Sequence, residues 1–416
     1  MSVACGVDFG TSNSTVGWSR PNQSALLPLE EGKVTLPSVI FFNADEDTFC
    51  YGRAALAEYL AGYEGRLMRS LKSLLGSSLI DGQTEVNGRA LPFRQLLTYF
   101  IGELKHRAEK AVEQSLSYAV LGRPVFFVDG NPDGDQRAED TLAAIAHAVG
   151  FKEITFQYEP IAAAFDYESS INSEELVLIV DIGGGTSDFS VVRLSPERAK
   201  QVDRKPDILA SGGVHIGGTD FDKYLSLSSV MPLLGMGSTL KNNLEMPSSY
   251  YFNLATWHSI NLLYTQKTHY ELKDFYIQAK ERDKLSRLIR LVEERAGHWL
   301  ALQVESCKIE LSEAQHAHLN LERIAHDQLL SISRDTFHTS ISHLISKIET
   351  TITNLLHDAN VAPDRINTVF FTGGASGVHL LRERVAALLP TAKRVDGDLF
   401  GSIGAGLALD AVRKFG

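Results

Sequence analysis

The sequence repeats one short pattern, and this repeat constrains the fold more than any other feature. Residues 3–17 read VACGVDFGTSNSTVG, and residues 177–192 read VLIVDIGGGTSDFSVV. Each stretch is an apolar strand that ends in aspartate, followed by a turn of glycine, threonine and serine and by a second strand-like run. The spacing between the two aspartates, Asp8 and Asp181, is far too long for a solenoid repeat. The pattern therefore predicts a duplicated domain, with two lobes of related construction.

Length, composition and charge agree with this interpretation. The 416 residues exceed what one hydrophobic core usually serves, and 44% hydrophobic residues are typical of a globular protein. The net charge of -11 offers no electrostatic footprint for DNA or RNA, so we expect no nucleic-acid partner. No apolar run reaches the roughly 18 residues of a membrane-spanning helix, so we expect no membrane partner. Three cysteines without metal-ligand spacing, and a start without leader features, predict a cytoplasmic protein.

Periodicity and apolar runs place the main elements along the chain. The predicted helices cover residues 92–116, 135–149 and 333–357, a short stretch opened by Pro160, two helices within 270–312, and a last helix after Gly401. The predicted buried strands cover residues 36–42, 124–128 and 368–372. These elements alternate along the chain, which favours a mixed α/β architecture.

The turn at residues 181–188 has the composition of a phosphate-binding loop. Glycines after a buried strand let backbone N–H groups approach phosphate oxygens, because no Cβ stands in the way. The hydroxyl of Thr186 adds a donor. Carboxylates beside a polyphosphate would repel it unless a divalent cation intervenes, and Mg²⁺ prefers carboxylate, water and phosphate oxygens. The two turns therefore predict a metal–nucleotide complex.

Two common nucleotide-binding glycine motifs, the P-loop and the Rossmann turn, do not match this turn. The chain contains no P-loop pattern, and a Rossmann turn would open a helix, whereas residues 189–192 continue as a strand. A β-hairpin that needs glycine only for its backbone conformation is the alternative for either turn taken alone. A third glycine turn, residues 373–377, precedes a predicted helix and could receive a sugar or α-phosphate. A fourth, residues 217–222, is better explained, when taken alone, by ordinary helix capping through Asp220.

The motifs taken together resemble those of the actin, hexokinase and DnaK-type ATPase superfamily, and within it those of the DnaK-type heat-shock chaperones. The matching strings are VDFGTSNSTVG, YEPIAAAFDYE, VDIGGGTSDFSVV, GVHIGGTDFD, FFTGGASGV and DGDLFGSIGAGLA. They cover nearly the whole chain apart from roughly residues 225–295. The match is to the ATPase half of the chaperones, so the chain resembles the short stand-alone DnaK-like proteins of the YegD kind. Because no peptide-binding domain is present in this sequence, peptide-chaperone activity is not expected of it alone.

The resemblance implies an α/β, two-lobed, actin-like ATPase fold. Each lobe would be a mixed sheet with flanking helices, and each would carry a smaller subdomain. Lobe I would comprise residues 1–174, and lobe II residues 175–397 with a helical insertion at about 223–312. Residues 398–416 would form a C-terminal helix that packs back on lobe I. The implied cofactors are ATP or ADP with Mg²⁺, bound in a cleft between the lobes.

The resemblance also assigns catalytic side chains. Asp8 and Asp181 would hold the Mg²⁺ shell through waters, Glu159 would orient the attacking water, and Asp188 would assist nearby. Lys72, in the string LKSLLG, matches loosely the family lysine that reaches the γ-phosphate. The alternative for Lys72 is an exposed helix lysine.

Further residues match the family's nucleotide contacts. Those on the phosphate side are Gly10, Thr11, Ser12, Asn13, Gly183, Gly184, Gly185, Thr186, Gly217 and Gly218. Those on the nucleoside side are Glu305, Lys308, Ser312, Gly373, Gly374, Ser376, Val378 and Asp398. The adenine-stacking arginines of the family are replaced by Ile309 and Gly377. Since a guanidinium over a ring contributes about 1–2 kcal/mol, this replacement predicts weaker adenine affinity and base selectivity.

Three functions remain open from the sequence. The first is a DnaK-like, chaperone-related protein that binds ATP with Mg²⁺ and hydrolyses it slowly, with lobe closure as its working motion and a co-chaperone or client protein as partner. The second is an ATP-binding switch or scaffold without hydrolysis. The third is a small-metabolite kinase on the same fold, in which a second substrate replaces water. An actin-like filament is less favoured, because nothing in the sequence identifies a self-association surface.

Overall fold

A computed structural model describes residues 4–20, 24–86, 88–128, 130–324, 329–398 and 401–416. The chain forms two compact units. Unit 1 comprises Met1–Val214, Thr351–Ser376 and Ala386–Gly416, and unit 2 comprises His215–Thr350 and Gly377–Val385. Both predicted glycine turns of the repeat lie in unit 1.

The described strands and helices alternate along the chain. The strands are β1 (Ala4–Asp8), β2 (Asn13–Gly17), β3 (Thr35–Pro37), β4 (Val39–Asn43), β5 (Thr48–Tyr51), β6 (Gly65–Arg69), β7 (Gln83–Val86), β8 (Arg89–Pro92), β9 (Tyr118–Arg123), β10 (Glu153–Tyr158), β11 (Glu175–Ile182), β12 (Ser187–Leu194), β13 (Ile208–Val214), β14 (His316–Asn320), β15 (Leu329–Ser333), β16 (Thr368–Thr372) and β17 (Lys393–Asp396). The helices are α1 (Gly52–Ala61), α2 (Phe93–Val112), α3 (Pro132–Ala148), α4 (Glu159–Ser170), α5 (Gly218–Leu225), α6 (Ser249–Leu254), α7 (Gln266–Gln278), α8 (Arg282–Glu293), α9 (Gly297–Glu313), α10 (Arg334–Asp358), α11 (His379–Leu388) and α12 (Ser402–Phe415).

Two five-stranded sheets of unit 1 share one topology. The first has the order β10-β9-β1-β2-β3, and the second has the order β13-β12-β11-β16-β17. In each sheet a hairpin (β1–β2 or β11–β12) gains a third antiparallel strand on one side and two parallel strands on the other. The apolar run of each hairpin's first strand is buried, as expected for a central strand covered on both faces. The sequence repeat thus corresponds to a repeated sheet.

Helix α2 covers part of the first sheet's core. Its apolar residues recur at helical spacing, and Leu96, Phe100 and Leu104 are fully buried. The ring of Phe100 lies 5.8 Å from that of Phe9, at the end of β1. This packing fixes the strand end from which the first glycine turn departs.

Helix α12 packs so closely on the first sheet and on α4 that glycine is required at the contacts. A Cβ on Gly6 of β1 would lie 2.4 Å from the backbone nitrogen of Ala408, and one on Gly406 would lie 1.9 Å from the carbonyl oxygen of Ala162 in α4. No real Cβ contact is that short, so backbone meets backbone here. The contact anchors α4, whose first residue is Glu159.

Two predicted elements are wrong. Residues 124–128 are not a strand: β9 ends at Arg123, and Pro124 has no N–H to continue the ladder. Phe126 in this segment is 52% exposed, so its apolar character does not reflect burial. Residues 270–312 lie in three helices rather than two, because the chain breaks before Arg282 and again at Arg295, which has a φ of 49°. The other predicted helices and the strand at 368–372 are confirmed; the apolar run 36–42 is strand on either side of a break at Ser38.

In its described residues, unit 2 is mainly helical and contains the two-stranded sheet β14-β15. Helix α8 buries Leu285, Leu288 and Leu291 at helical spacing, and α9 packs against the β14–β15 hairpin. Within the described residues, none of the helices is both long enough and apolar enough to cross a membrane.

Candidate functional site

The second glycine turn is closed by its own hydrogen bonds. Asp181 of β11 lies directly opposite Asp188 of β12. At the turn between them, the N–H of Gly183 donates to the carbonyl oxygen of Thr186 at 2.9 Å. The hydroxyl of Thr186 donates to Asp188 Oδ2 at 3.1 Å. The local sequence thus places the carboxylates of Asp181 and Asp188 on either side of a turn whose three glycines carry no side chain.

The two glycine turns meet in unit 1. A Cβ built on Gly184 would lie 2.0 Å from Ser12 Oγ and 3.1 Å from Ser12 Cβ. The first turn, residues 9–12, therefore reaches the second within contact distance. Asp8, at the end of β1, is 8% exposed. The structure thus brings together the turn residues that the sequence places far apart.

A buried ion pair lies in the same unit. Lys72, in a 3-10 turn at Leu71–Leu74, places its Nζ 2.5 Å from Glu159 Oε1, at the first residue of α4. The two side chains are only 12% and 14% exposed. The alternative interpretation of Lys72 as an exposed helix lysine is therefore wrong. Gly122 of β9 leaves room for Glu159, since a Cβ there would lie 3.3 Å from Glu159 Cγ.

Burial and mutual repulsion shift the titration of these groups. Burial, with the charge of Glu159, raises the pKa of Asp8 to about 7, although Lys72 opposes the rise. Burial, with the charges of Asp188 and Glu159, raises the pKa of Asp181 to about 8. Burial opposes the charge on Lys72, but Glu159 and Asp8 together raise its pKa. The carboxylates of Asp8, Glu159, Asp181 and Asp188 thus outnumber the single charge that Lys72 brings to them.

This excess of buried carboxylate is the chemistry that a hard divalent cation requires. Burial and repulsion raise the pKa of both acids, a bound cation would stabilise their charged forms, and oxygen ligands suit Mg²⁺. Asp8 and Asp181 therefore fit the group. Across the residues that the structure describes, no cluster of three or more His, Cys, Asp or Glu side chains could hold a metal ion directly.

A cavity that is open to solvent adjoins the carboxylates. Glu159, Asp181 and Asp188 line one part of its wall, and Pro124 and Phe126 line another. The segment wrongly predicted as a strand is therefore a wall of this cavity. A small polar molecule in this cavity would lie beside Glu159.

The third glycine turn lies against Asp181. Gly373 has a φ of 82°, and a Cβ there would lie 2.3 Å from Asp181 Oδ1. The N–H of Ala375 donates to the carbonyl oxygen of Ile182 at 3.0 Å. The hydroxyl of Ser376 is buried and donates to the carbonyl oxygen of Gly373 at 2.8 Å, so it closes the turn. Gly374, by contrast, is exposed.

The remaining predicted residues lie mostly in unit 2. The N–H of Gly217 donates to Asp220 Oδ2 at 3.0 Å, which caps α5. Lys308 is 7% exposed, and its Nζ lies 2.9 Å from Asp222 Oδ1 and 3.2 Å from the carbonyl oxygen of Gly218. Lys308 therefore ties α9 to the start of α5.

The other members of the nucleoside group are placed individually. Glu305 is half-buried one turn before Lys308 in α9, and the Ser312 hydroxyl donates to the carbonyl oxygen of Lys308 at 3.4 Å. Val378 is buried, whereas Asp398 in unit 1 is exposed and its carbonyl oxygen accepts from the Ser402 N–H at the start of α12. Ile309 is 60% exposed, and a Cβ on Gly377 would meet open space. No side chain stands at Gly377 to contact a base.

Two residues near the site were missed from the sequence. Ser38 lies between β3 and β4 and bonds to the first glycine turn. The Arg123 guanidinium pairs with Asp135 and Glu139 of α3 and donates to the carbonyl oxygens of Pro124 and Val125. Arg123 thereby holds the cavity wall. The only sequence signal was a polar residue inside or beside an apolar run, which is common in unrelated proteins.

Comparison with known proteins gives one family. The model of the Hsp70 protein family matches residues 4–230 and 272–411, which is most of the chain. The chain belongs to the Hsp70 family. The predicted resemblance and the actin-like ATPase fold class are thereby confirmed, with mixed sheets and flanking helices as described. The Hsp70 match leaves residues 231–271 uncovered, which lies within the stretch that the motifs also left out.

Individual Hsp70 relatives are similar over nearly all of this chain. Chaperone protein HscA of Salmonella typhimurium (strain LT2) is 26% identical over 431 residues, and that of Klebsiella pneumoniae (strain 342) is 26% identical over 439. Chaperone protein HscA of Citrobacter koseri is 25% identical over 430 residues. Each alignment covers 98% of this chain and 58% of the relative. The chain therefore spans less than two thirds of the length of these relatives.

Proposed function

We propose that this chain binds ATP and ADP with Mg²⁺ and hydrolyses ATP slowly, as a chaperone-related protein. The observation that carries the proposal is the buried pair of Lys72 and Glu159, in one unit with Asp8, Asp181 and two touching glycine turns. A purely structural hairpin would need neither the excess of carboxylate nor a buried lysine at its mouth. Membership of the Hsp70 family supports the same conclusion.

The two turns would bind phosphate through backbone. Gly10, Thr11, Ser12 and Asn13 would act from the first turn, and Gly183, Gly184, Gly185 and Thr186 would act from the second. Backbone N–H groups bind an anion without reorganising, because the fold has already oriented them. Thr11 and Ser12 add hydroxyl donors.

The charged side chains would have separate roles in binding Mg²⁺, contacting the terminal phosphate and orienting water. Asp8 and Asp181 would hold Mg²⁺ through waters, and the bound ion would neutralise charge on the phosphate oxygens. Lys72 would place a fixed positive charge against the terminal phosphate. Glu159, held by Lys72, would accept a hydrogen bond from the attacking water, with Asp188 beside it. Positioning and charge neutralisation supply most of the catalysis in phosphoryl transfer.

The nucleoside contacts and the domain roles belong to the same proposal. Glu305, Lys308, Ser312, Gly373, Gly374, Ser376, Val378 and Asp398 would contact the nucleoside, and Gly217 and Gly218 would complete the phosphate side. Residues 1–174 and 175–397 would act as two lobes that close on the nucleotide, with residues 398–416 packed on the first. A co-chaperone or a client protein would respond to that closure; the HscA relatives carry the name chaperone protein.

Phosphate release at saturating Mg-ATP tests the proposal and separates it from its alternatives. We expect slow release by the wild type, reduced to background in Glu159→Gln, while Mg-ADP binding is retained. Release at background with retained binding would favour a switch without hydrolysis. ATP consumption only after a small metabolite is added would favour a kinase. Neither binding nor release would contradict the proposal altogether.

A further inference from the structure

Ser38 makes three hydrogen bonds, two of them to the backbone of the first glycine turn and one to Ser14 of β2. Its N–H donates to the carbonyl oxygen of Ser12 at 2.8 Å, and its hydroxyl donates to the carbonyl oxygen of Gly10 at 2.7 Å. The Ser38 hydroxyl also lies 2.9 Å from Ser14 Oγ. Both serines are buried, at 1% and 0% exposure. Ser38 stands where the chain passes from β3 to β4, so it holds the turn from outside the hairpin.

The direction of each hydrogen bond follows from the number of protons. A serine hydroxyl has one proton to donate. Because the Ser38 proton goes to Gly10, the Ser14 hydroxyl must donate to Ser38. The result is a buried relay from Ser14 to Ser38 to the backbone of the turn. Its acceptor end is a carbonyl group of the turn itself.

Because Ser38 holds the carbonyl groups of Gly10 and Ser12, it also orients the N–H groups that belong to the same two peptide units. In a trans peptide unit the C=O and the next residue's N–H point in opposite directions. The carbonyl of Gly10 shares its peptide unit with the N–H of Thr11, and the carbonyl of Ser12 shares its unit with the N–H of Asn13. Ser38 holds both carbonyl oxygens, so both N–H groups point away from Ser38. Glycine alone would leave the first peptide unit free to rotate.

The second turn has no need of such a support. It is closed within itself by the bond from the Gly183 N–H to the Thr186 carbonyl oxygen. In the first turn, a Cβ on Gly10 would lie 2.0 Å from the Asn13 carbonyl oxygen, so this turn is equally tight. Its support, however, comes from Ser38, which lies outside the hairpin, between β3 and β4.

We propose that Ser38 is a positioning residue for phosphate binding: it orients the Thr11 and Asn13 N–H groups toward a nucleotide's phosphates without touching them. The inference rests on the proposed function, because it assumes that the turn binds phosphate. It adds a residue outside the glycine motifs to the machinery of that site. Ser38→Ala removes one oxygen and disturbs the packing least, so it is the main variant.

The test measures Mg-ADP affinity by calorimetry and the thermal midpoint without ligand. We expect Ser38→Ala to bind Mg-ADP about tenfold more weakly, as the loss of one or two buried hydrogen bonds implies. Ser195→Ala is the matched control, since Ser195 is 3% exposed and its hydroxyl accepts from the Arg198 N–H at 3.2 Å. We expect this control to lower the thermal midpoint while leaving the affinity unchanged.

A conservative pair separates the hydroxyl from the bulk of the side chain. Ser38→Thr and Ser38→Val add the same volume, but only threonine keeps the hydroxyl. We expect the threonine variant to bind Mg-ADP about tenfold more tightly than the valine variant. Wild-type affinity in Ser38→Ala, or equal weakening in Ser195→Ala, would overturn the inference. If the wild type itself failed to bind Mg-ADP, the proposed function would fail first.

Discussion

Lys72 Nζ lies 2.5 Å from Glu159 Oε1, in a pair that is almost closed to water. Removing two such charges from water costs several kcal/mol each, and their attraction recovers this only with good geometry. The position of Glu159 helps, because the N-terminus of α4 carries a partial positive charge that favours a carboxylate. A pair that is costly to bury and lies beside other carboxylates is better explained by chemistry than by stability.

Replacing Lys72 should separate turnover from binding. We expect Lys72→Ala to lower phosphate release at saturating Mg-ATP by about 100-fold or more, because a fixed charge against the terminal phosphate is lost. Mg-ADP affinity should change much less, since ADP lacks that phosphate. Single-turnover phosphate release measures the first quantity, and calorimetry measures the second.

Lys105 provides the matched control. Its Nζ lies 2.7 Å from Glu109 Oε1, with a side-chain exposure of 13%, in α2 of the same unit. Lys105→Ala should therefore affect stability to a similar degree but leave turnover intact. Equal loss of turnover in the two variants would show that Lys72 acts only through folding.

The pKa shifts of the aspartates predict a rise in affinity with pH. Burial and repulsion raise the pKa of Asp8 to about 7 and that of Asp181 to about 8, from 3.8 in an unfolded chain. Both carboxylates must lose their protons to hold Mg²⁺, so Mg-ADP affinity should increase between about pH 6 and pH 9. Binding near pH 7 should release between about one and two protons, because Asp8 is then half protonated and Asp181 mostly protonated. Calorimetry in two buffers of different ionisation enthalpy measures the number of protons released.

Stability without ligand should change in the opposite direction. Between about pH 4 and pH 8 the folded chain binds more protons than the unfolded chain, because the folded pKa values are raised. The contribution of these two groups to stability is therefore present at low pH and lost as pH rises through about 8. If Mg-ADP affinity were constant from about pH 6 to pH 9 and no proton were released, Asp8 and Asp181 would not be the residues that hold Mg²⁺.

Gly373 should be more sensitive than a glycine with the same backbone conformation elsewhere. Gly373→Ala combines a positive φ with a Cβ only 2.3 Å from Asp181 Oδ1 and 2.5 Å from the Ile182 carbonyl oxygen. Gly62 has a φ of 90° but no neighbour within 4 Å of a Cβ. Chemical denaturation should show a loss of about 1–2 kcal/mol for Gly62→Ala, and more for Gly373→Ala.

Only one of these two variants should affect nucleotide binding. A Cβ at Gly373 would push against the Asp181 carboxylate, so Mg-ADP affinity should fall in Gly373→Ala and remain unchanged in Gly62→Ala. If both variants kept wild-type affinity, the packing of Gly373 against Asp181 would have no part in binding.

The sequence predicted the parts of this protein that depend on short motifs. The Asp-Gly-Thr turns combine a tight backbone with carboxylates, and the structure brings the two turns together, with Asp8 and Asp181 close enough to repel each other. Helices such as α2 follow from a long apolar period. The sequence could not exclude that Lys72 is an exposed helix lysine. The structure excludes it, because Lys72 is paired with Glu159 and largely buried.

The rest depends on contacts between distant segments. Ser38 looks like any serine in an apolar run, and its bonds to Gly10 and Ser12 come from strand pairing that the motif does not encode. Phe126 and Phe127 give residues 124–128 the composition of a buried strand, whereas Arg123 holds this segment as a loop by donating to the carbonyl oxygens of Pro124 and Val125. A single strand-ending proline outweighs the apolar composition around it.

The most direct test is calorimetric titration of the wild type and of Asp8→Ala with ADP and ATP, each with and without Mg²⁺. Our account predicts binding that depends on Mg²⁺ in the wild type and is abolished in Asp8→Ala, with the thermal unfolding of the variant showing that it is folded. Affinity that is the same without Mg²⁺ and in Asp8→Ala, or a wild type that binds neither nucleotide, would contradict it.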